Sequence, residues 1–333
     1  MDRTMEEEIS LLSKYQISRF FGRNAPITQQ QCDEEAERIL GASVLPTTMQ
    51  GASSYTVFGG TFVIQFRDDT SPLDADLLGL VEQAYAGFVP HHESAGKLGK
   101  LHIYKMNMIG GVSMYLARDQ LQADDCNLLR RTLQGYARFF ASPWKNTPAE
   151  MPRHNQEVML ADYSSKLSQL SQGLPERFRA TLEHLIASLP RLFAQDWPFV
   201  PNHIDLLENN IHVDPATGRL VGICDWRDAE ISPFGMSLGG IETLLGVDTV
   251  SRWVYHANES ELRALFWSTF YEATGFVPDT HRELIQAARL VGLFLQHGFE
   301  YDENGNKSAA SAEARGLAFI DAVLAVSSQR GVP

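Results

Sequence analysis

Residues 199–226 read FVPNHIDLLENNIHVDPATGRLVGICDW and carry His203, Asp205, Asn210 and Asp225 within one short segment. Apolar runs on either side of DPATG read as two strands joined by a turn, because Asp, Pro and Gly favour tight bends and β-branched residues favour extended backbone. A loop leaving a strand aims Asp205 outward, five residues before Asn210, and LVGICDW is an apolar strand that ends in Asp225. Carboxylate and amide oxygens at those points suit a hard cation such as Mg2+, and a carboxylate also suits proton acceptance from a hydroxyl. Singly, each residue reads as a turn or cap residue. Together, in register, they read as a site.

The spacing His-x-Asp-x-x-x-x-Asn is that of the catalytic loop in phosphoryl transfer of the protein kinase type. NHIDLLENNIHVDPATGRLVGICDW resembles the His-Gly-Asp-Leu-x-x-x-Asn-Ile-Leu-Val-Asp and Ile-Asp-Trp blocks of the aminoglycoside phosphotransferase and choline kinase superfamily, in the same order and at a similar separation. The resemblance implies an α+β, two-lobed protein kinase-like fold, with a small antiparallel-sheet N-lobe and a larger, mainly helical C-lobe. It implies Asp205 as catalytic base, His203 as support for the loop, and Asn210 and Asp225 as ligands of Mg2+. Ile204 departs from the pattern, which usually has Gly there; a β-branched residue excludes a positive φ. WRDAEISPFGMSLGGIETLLG at 226–246 resembles fungal members and implies a fungal metabolic protein.

The N-terminal part tests that expectation. QGASSYTVF resembles the Gly- and Ser-containing flap that covers phosphates, with Gly51 allowing close approach and Ser53 and Ser54 offering donors. The next strand, FVIQFR, has Gln65 where a kinase-like fold places Lys, and Gln is uncharged. Arg67 shares its face, because side chains alternate along a strand, and reads either as a phosphate contact or as a surface partner of Asp68 or Asp69. Glu82, in the following helix, is the expected acidic partner. LHIYKMNMIGG resembles the edge strand and hinge that face adenine, with Tyr104, Lys105 and Met106 as the linker. Glu208 is a candidate for a substrate amine or a solvated loop carboxylate. His212 reads as packed, and the aromatics Trp253, Tyr255, Phe266, Trp267, Phe270 and Tyr271 read as core or as an acceptor pocket.

Length and composition agree with a two-lobed enzyme: 333 residues, 44% apolar and 21% charged. A formal charge of −13 argues against nucleic acid or an anionic membrane as partner, since both need clustered cations. Cys32, Cys126 and Cys224 are too few and too scattered for a disulfide framework or a thiolate zinc site. No apolar run is long enough to span a bilayer and the acidic start lacks a signal pattern, so the expected setting is cytoplasmic. A capped helix is expected from Thr28 to Gly41, strands and one helix follow to about residue 108, and helices dominate from 109 to 333. Prolines at 143, 148 and 152 predict a loop over 141–155, and 301–312 reads as a polar loop.

Three functions remain open on this reading. The first is ATP- and Mg2+-dependent phosphorylation of a hydroxyl on a small-molecule acceptor. The second is a kinase-fold ligand-binding protein without transfer, which Gln65 favours. The third is a kinase-fold enzyme of natural-product chemistry that does not phosphorylate.

Overall fold

The computed structural model describes residues 5–148, 151–152, 155–249 and 252–328. Helices α1 (Met5–Arg23) and α2 (Gln29–Leu40) come first. Helix α2 starts and stops where local chemistry requires. The Thr28 side chain accepts from the Gln31 amide while the Gln31 side chain accepts from the Thr28 amide at 2.9 Å, so two orphan donors are satisfied at once. Gly41, at φ 66, closes the other end by donating to the Glu37 carbonyl at 2.7 Å.

Strands β1 (Leu45–Pro46), β2 (Ser54–Gly59), β3 (Phe62–Arg67), β4 (His92–Leu98) and β5 (Leu101–Asn107) form one antiparallel sheet in the order β1-β2-β3-β5-β4. Helix α3 (Ala75–Ala84), N-capped by Asp74, joins β3 to β4. Alternate residues Tyr55, Val57, Ile64, Phe66, Leu101 and Ile103 enter a core shared with Phe20 and Ala36. Leu78, Val81 and Ala84 of α3 instead join the second, larger core. The helix is therefore a bridge between sheet and helices.

The larger part follows: β6 (Val112–Ser113), α4 (Met114–Asn146), α5 (Gln156–Gly173), α6 (Arg179–Leu192), β7 (Phe199–Asn202), β8 (Ile211–Val213), β9 (Leu220–Ile223) and β10 (Glu230–Pro233). Then come α7 (Glu242–Leu245), β11 (Gly246–Asp248), β12 (Trp253–Tyr255), α8 (Glu259–Thr274), α9 (Asp279–His297), β13 (Phe299–Tyr301), β14 (Lys307–Ala309) and α10 (Arg315–Ser328). A small antiparallel sheet beside a larger helical region is the expected α+β class.

Several local expectations fail for packing reasons. Pro143 lies inside α4, which runs on to Asn146 rather than breaking into a loop at 141. Pro143 is buried and Trp144 meets Trp197 and Phe234 edge to face at 5.9 and 4.9 Å. That burial outweighs the roughly 3 kcal/mol that an interior proline costs a helix. Residues 149–150 and 153–154 of the same expectation lie outside the described residues. The break in α4 falls instead at 123–126, where Asp124, Asp125 and Cys126 take φ 49, 56 and 61. The strand expected near Val89 begins only at His92. The polar 301–312 stretch pairs β13 with β14, its turn held by Asp302, which accepts from the Asn304 and Asn306 amides at 2.9 and 2.8 Å.

One buried ionic cluster ties α7, α8 and α9 together. Glu242 pairs with Arg263 at 2.7 Å and with Arg289, accepts from the Tyr255 hydroxyl at 2.8 Å, and Arg263 also reaches Glu259. Burial alone would raise the Glu242 pKa, but Arg289 and Arg263 outweigh it and hold the carboxyl at about 2. Because the folded pKa lies below the free value, this stabilisation is complete above about pH 5 and is lost as pH falls further. Glu242→Ala leaves the buried Arg289 guanidinium unpaired and Arg263 held only by Glu259, and should lower unfolding free energy by about 3–5 kcal/mol in a urea titration, whereas a loss under about 1 kcal/mol would mean the cluster carries little.

Candidate active site

The β8–β9 hairpin sets the geometry. Ile211 opposes Ile223 and His212 opposes Gly222. Pairing continues one step past both strands, where the Cys224 amide donates to the Asn210 carbonyl at 2.9 Å. Asn210, before β8, and Asp225, after β9, thus come to the same end of the hairpin. At the far end the Asp214 carboxylate accepts from the Ala216 amide at 3.0 Å, and Gly218 turns the chain at φ 70. A Cβ at Gly218 would approach the Leu128 carbonyl oxygen to 2.2 Å, so the turn needs glycine on both counts. On the opposite edge β6 pairs Ser113 with His212, and His212 Nδ1 lies 3.3 Å from the Gly110 carbonyl oxygen. His212 is thus hydrogen-bonded, and burial lowers its pKa.

His203 is buried and holds the two acidic loops together. Its Nδ1 accepts from the Asp205 amide at 3.1 Å, so the ring proton is on Nε2, which donates to the Cys224 carbonyl at 2.8 Å. The Trp226 ring packs against it edge to face at 4.7 Å, and Trp226 Nε1 is anchored on the Ile223 carbonyl at 3.0 Å. Burial lowers the His203 pKa although Cys224, Asp225 and Asp205 all pull it up, so the imidazole stays neutral.

Asp205 is exposed, and the Asn210 amide donates to its main-chain oxygen at 2.8 Å and to its carboxylate at 3.2 Å. The Asn210 side-chain oxygen therefore points away from Asp205. Asp225 is also exposed and adopts φ 60. Left-handed backbone outside glycine costs on the order of 1–3 kcal/mol and gathers at functional sites. Ile204, by contrast, keeps a negative φ, as its β-branch requires. Among the described residues no three His, Cys, Asp or Glu side chains group as a metal cage. Asn210 and Asp225 supply two hard oxygen donors, which fits Mg2+, an ion that is commonly held by one or two carboxylates and completes its shell with phosphate and water.

Facing these acids is a basic cluster. Arg67, only 2% exposed, donates to the Ser71 hydroxyl at 2.7 Å, the Ser71 carbonyl at 2.7 Å, the Ser53 hydroxyl at 3.2 Å and the Gln65 amide oxygen at 2.9 Å. Arg227 reaches the same two hydroxyls, Ser71 at 2.7 Å and Ser53 at 3.3 Å, and also pairs with Asp228. Arg67 makes no ion pair among the described residues, and burial lowers its pKa, with Asp225 opposing that shift and Arg227 reinforcing it. Two guanidiniums on shared hydroxyls, one buried and without a carboxylate in contact, form a ready anion seat. Gln50 shapes the loop above by bonding the Thr56 amide and carbonyl at 3.0 and 2.7 Å; within it Gly51 is exposed, while Ser54 is buried at the start of β2.

Some expected roles do not fit. Glu82 does not partner Arg67: its carboxylate takes the His91 ring at 2.7 Å and the His92 amide at 2.8 Å, because α3 presents it to β4. Tyr104, Lys105 and Met106 lie inside β5, which is not an edge strand, and are paired to β3 on one side and β4 on the other. Their backbone has no free ladder groups for adenine; the chain leaves the sheet only at Met108. Glu208 is matched by Arg118 of α4 in a two-point ion pair, so its charge is not open to a substrate amine. Of the aromatic set, Phe266 and Phe270 are buried core while Trp253 lines a cavity below the loop. Sequence reasoning missed Ser71 and Arg227; Arg227 stands two residues after Asp225, but only the fold shows that it meets Arg67.

Comparison with known proteins places the family and the fold. Residues 87–260, just over half of the chain, match APH, the phosphotransferase enzyme family. No curated protein sequence matches. A solved aminoglycoside 2'-phosphotransferase-IIIa mutant bound to GDP shares the fold at TM-score 0.50 and 18% identity, over 86% of this chain and 90% of that one. A choline/ethanolamine kinase family protein of Mesorhizobium loti aligns at TM-score 0.48 and 16% identity, over 79% of this chain and 83% of its own. Aminoglycoside phosphotransferase APH(3'')-Id of Streptomyces rimosus, in complex with ADP and streptomycin, aligns at 0.45 and 16%, over 80% and 99%.

Burial lowers the pKa of His92, His203, His212, His256 and His297 alike. In the unfolded chain these rings titrate near 6.5, so the unfolded state binds more protons as pH falls and stability drops. Urea midpoints should fall between about pH 7.5 and 5.5, and His203→Gln should make that fall shallower. A midpoint that does not move with pH would contradict neutral buried histidines.

Proposed function

We propose, because the chain belongs to the phosphotransferase enzyme family, that it transfers the γ-phosphoryl group of ATP, with Mg2+, to a hydroxyl of a small-molecule metabolite. The observation that carries this reading is the meeting of Asp205, Asn210 and Asp225 at one end of the hairpin opposite the Arg67–Arg227 cluster. Asp205 orients the acceptor hydroxyl and accepts its proton as the oxygen bonds to the γ phosphorus and the β–γ bridging oxygen leaves with ADP. Asn210 and Asp225 hold Mg2+, which when bound neutralises charge on the β and γ phosphates. His203 positions Asp205 through its amide.

Arg67 and Arg227 receive phosphate oxygens, with Ser53 above them. The second guanidinium answers the loss of charge at Gln65, since a charge-assisted contact contributes about 1.5–3 kcal/mol. Gly51 and Ser54 belong to the flap side of this seat. Adenine recognition falls to the Met108 carbonyl and the Ile109 and Gly110 amides, past the end of β5, in place of the expected Tyr104 and Met106; the Met108 amide is held by the Thr61 carbonyl and the Gly110 carbonyl by His212. The chain works as two lobes, 1–108 and 109–333, that meet at the Gly110-Gly111 connector, in a fungal cytoplasm. No helix among the described residues is long and apolar enough to cross a membrane. A nucleotide-binding protein without transfer is the second reading, and Gln65 is the observation that favours it.

Asp205→Asn should lower phosphoryl transfer from γ-labelled ATP by about 10²–10⁴-fold with folding unchanged. Arg67→Ala and Arg227→Ala should each weaken Mg-ATP binding by about 10–100-fold in calorimetric titration. Full transfer in Asp205→Asn would remove it as the base. Tight Mg-ATP binding by the unaltered chain, with no transfer to any acceptor, would select the second reading.

A further inference from the structure

Below the catalytic loop a cavity of about 500 Å³ opens between residues 203–207, α9 and α10, within the usual range for a small-molecule site. Leu206, Leu207 and Leu293 line it together with Trp253 and Phe319, whose rings cross edge to face at 4.9 Å. Ile204 and Leu206, the chain neighbours of Asp205, line the cavity, while Asp205 itself lies outside its lining, so the cavity borders the loop that carries the proposed base.

Two of the three cations in this lining are matched by carboxylates. Lys166 pairs with Asp162 at 2.6 Å, and Arg315 pairs with Asp248 at 2.7 Å. Glu230 accepts from the Tyr163 hydroxyl at 3.2 Å, and its pKa is raised by burial. His297 is held neutral, with its pKa lowered by burial to about 4. Lys166, Arg252 and Arg315 line the cavity against only Glu230 and Asp248. A chain with a formal charge of −13 thus has no acidic surplus at this point. A polyamine placed here would bury ammonium groups without carboxylates to receive them, which is costly. A ring with an apolar body would instead replace water against aromatic and leucine side chains.

We infer that the acceptor, on the reading proposed above, is an uncharged alcohol with a largely apolar, ring-containing body, seated between Leu293 and Trp253 with its hydroxyl toward Asp205, and not a polycationic amino sugar. Specificity then rests on Trp253 and Phe319, which touch the acceptor body and leave the chemistry to Asp205.

The test uses the full chain, with naphthyl ethanol as the apolar alcohol and streptomycin as the polycation. Equilibrium dialysis without nucleotide reads binding, and γ-labelled ATP with Mg2+ reads transfer. Ala318→Trp fills the cavity from an exposed position on α10, and Leu295→Trp fills it from α9 should the first variant fail to fold. The expected result is that naphthyl ethanol binds and streptomycin does not, with at least a tenfold loss in either filled variant. Naphthyl ethanol that binds and is blocked by tryptophan, yet is never phosphorylated, upholds the cavity's chemistry while sinking the phosphotransferase reading. Streptomycin binding more tightly than naphthyl ethanol, neither probe binding, or naphthyl ethanol binding unaffected by the fillings would each overturn the inference.

Discussion

The hydrogen bond from the Cys224 amide to the Asn210 carbonyl is the constraint on which the site depends. It extends the β8–β9 ladder by one step and so decides which residues stand together at its end. Strand side chains alternate, and a slip of one residue would send Asp225 to the other face. His203 supplies a second tie, using one ring nitrogen on the Asp205 loop and the other on the Cys224 carbonyl. Only a neutral imidazole can accept and donate in this way, and burial under Trp226 keeps it neutral. Packing, protonation and geometry are here one device.

The two buried charge clusters differ in what surrounds them. Around Glu242 the charges close on one another, with Arg263, Arg289 and Tyr255 filling the carboxylate's acceptor sites. Such a cluster stabilises the packing of three helices and offers nothing to a ligand. Around Arg67 the partners are hydroxyls, a carbonyl and the Gln65 amide, and a second guanidinium lies on the same hydroxyls. Neutral acceptors satisfy the Arg67 donors without cancelling its charge, so Arg67, unlike Arg227 with its partner Asp228, retains an electrostatic demand for an anion. That difference, more than the count of ionised residues, separates a structural cluster from a binding one.

Legibility followed the range of the interactions. The ends of α2 were readable at Thr28 and Gly41 because caps act within four residues. The hairpin at 211–223 was readable because DPATG separates two apolar runs. Pro143 misled because its burial beside Trp144, Trp197 and Phe234 is non-local, and a tertiary contact overrode a local preference. Glu82 misled because the direction α3 presents it depends on how β4 returns past the helix.

By itself the sequence determined the α+β class, the spacing of His203, Asp205, Asn210 and Asp225, and the side-by-side placement of Gln65 and Arg67 along one strand face. These follow from periodicity and turn chemistry, which act between near neighbours. Only the tertiary structure decided that Arg227 and Ser71 complete the Arg67 cluster, that Glu208 is held by Arg118, and that β5 lies inside its sheet with Tyr104 and Met106 paired on both sides. Those pairings join residues that chain entropy keeps apart until the two cores form, and no local pattern encodes them.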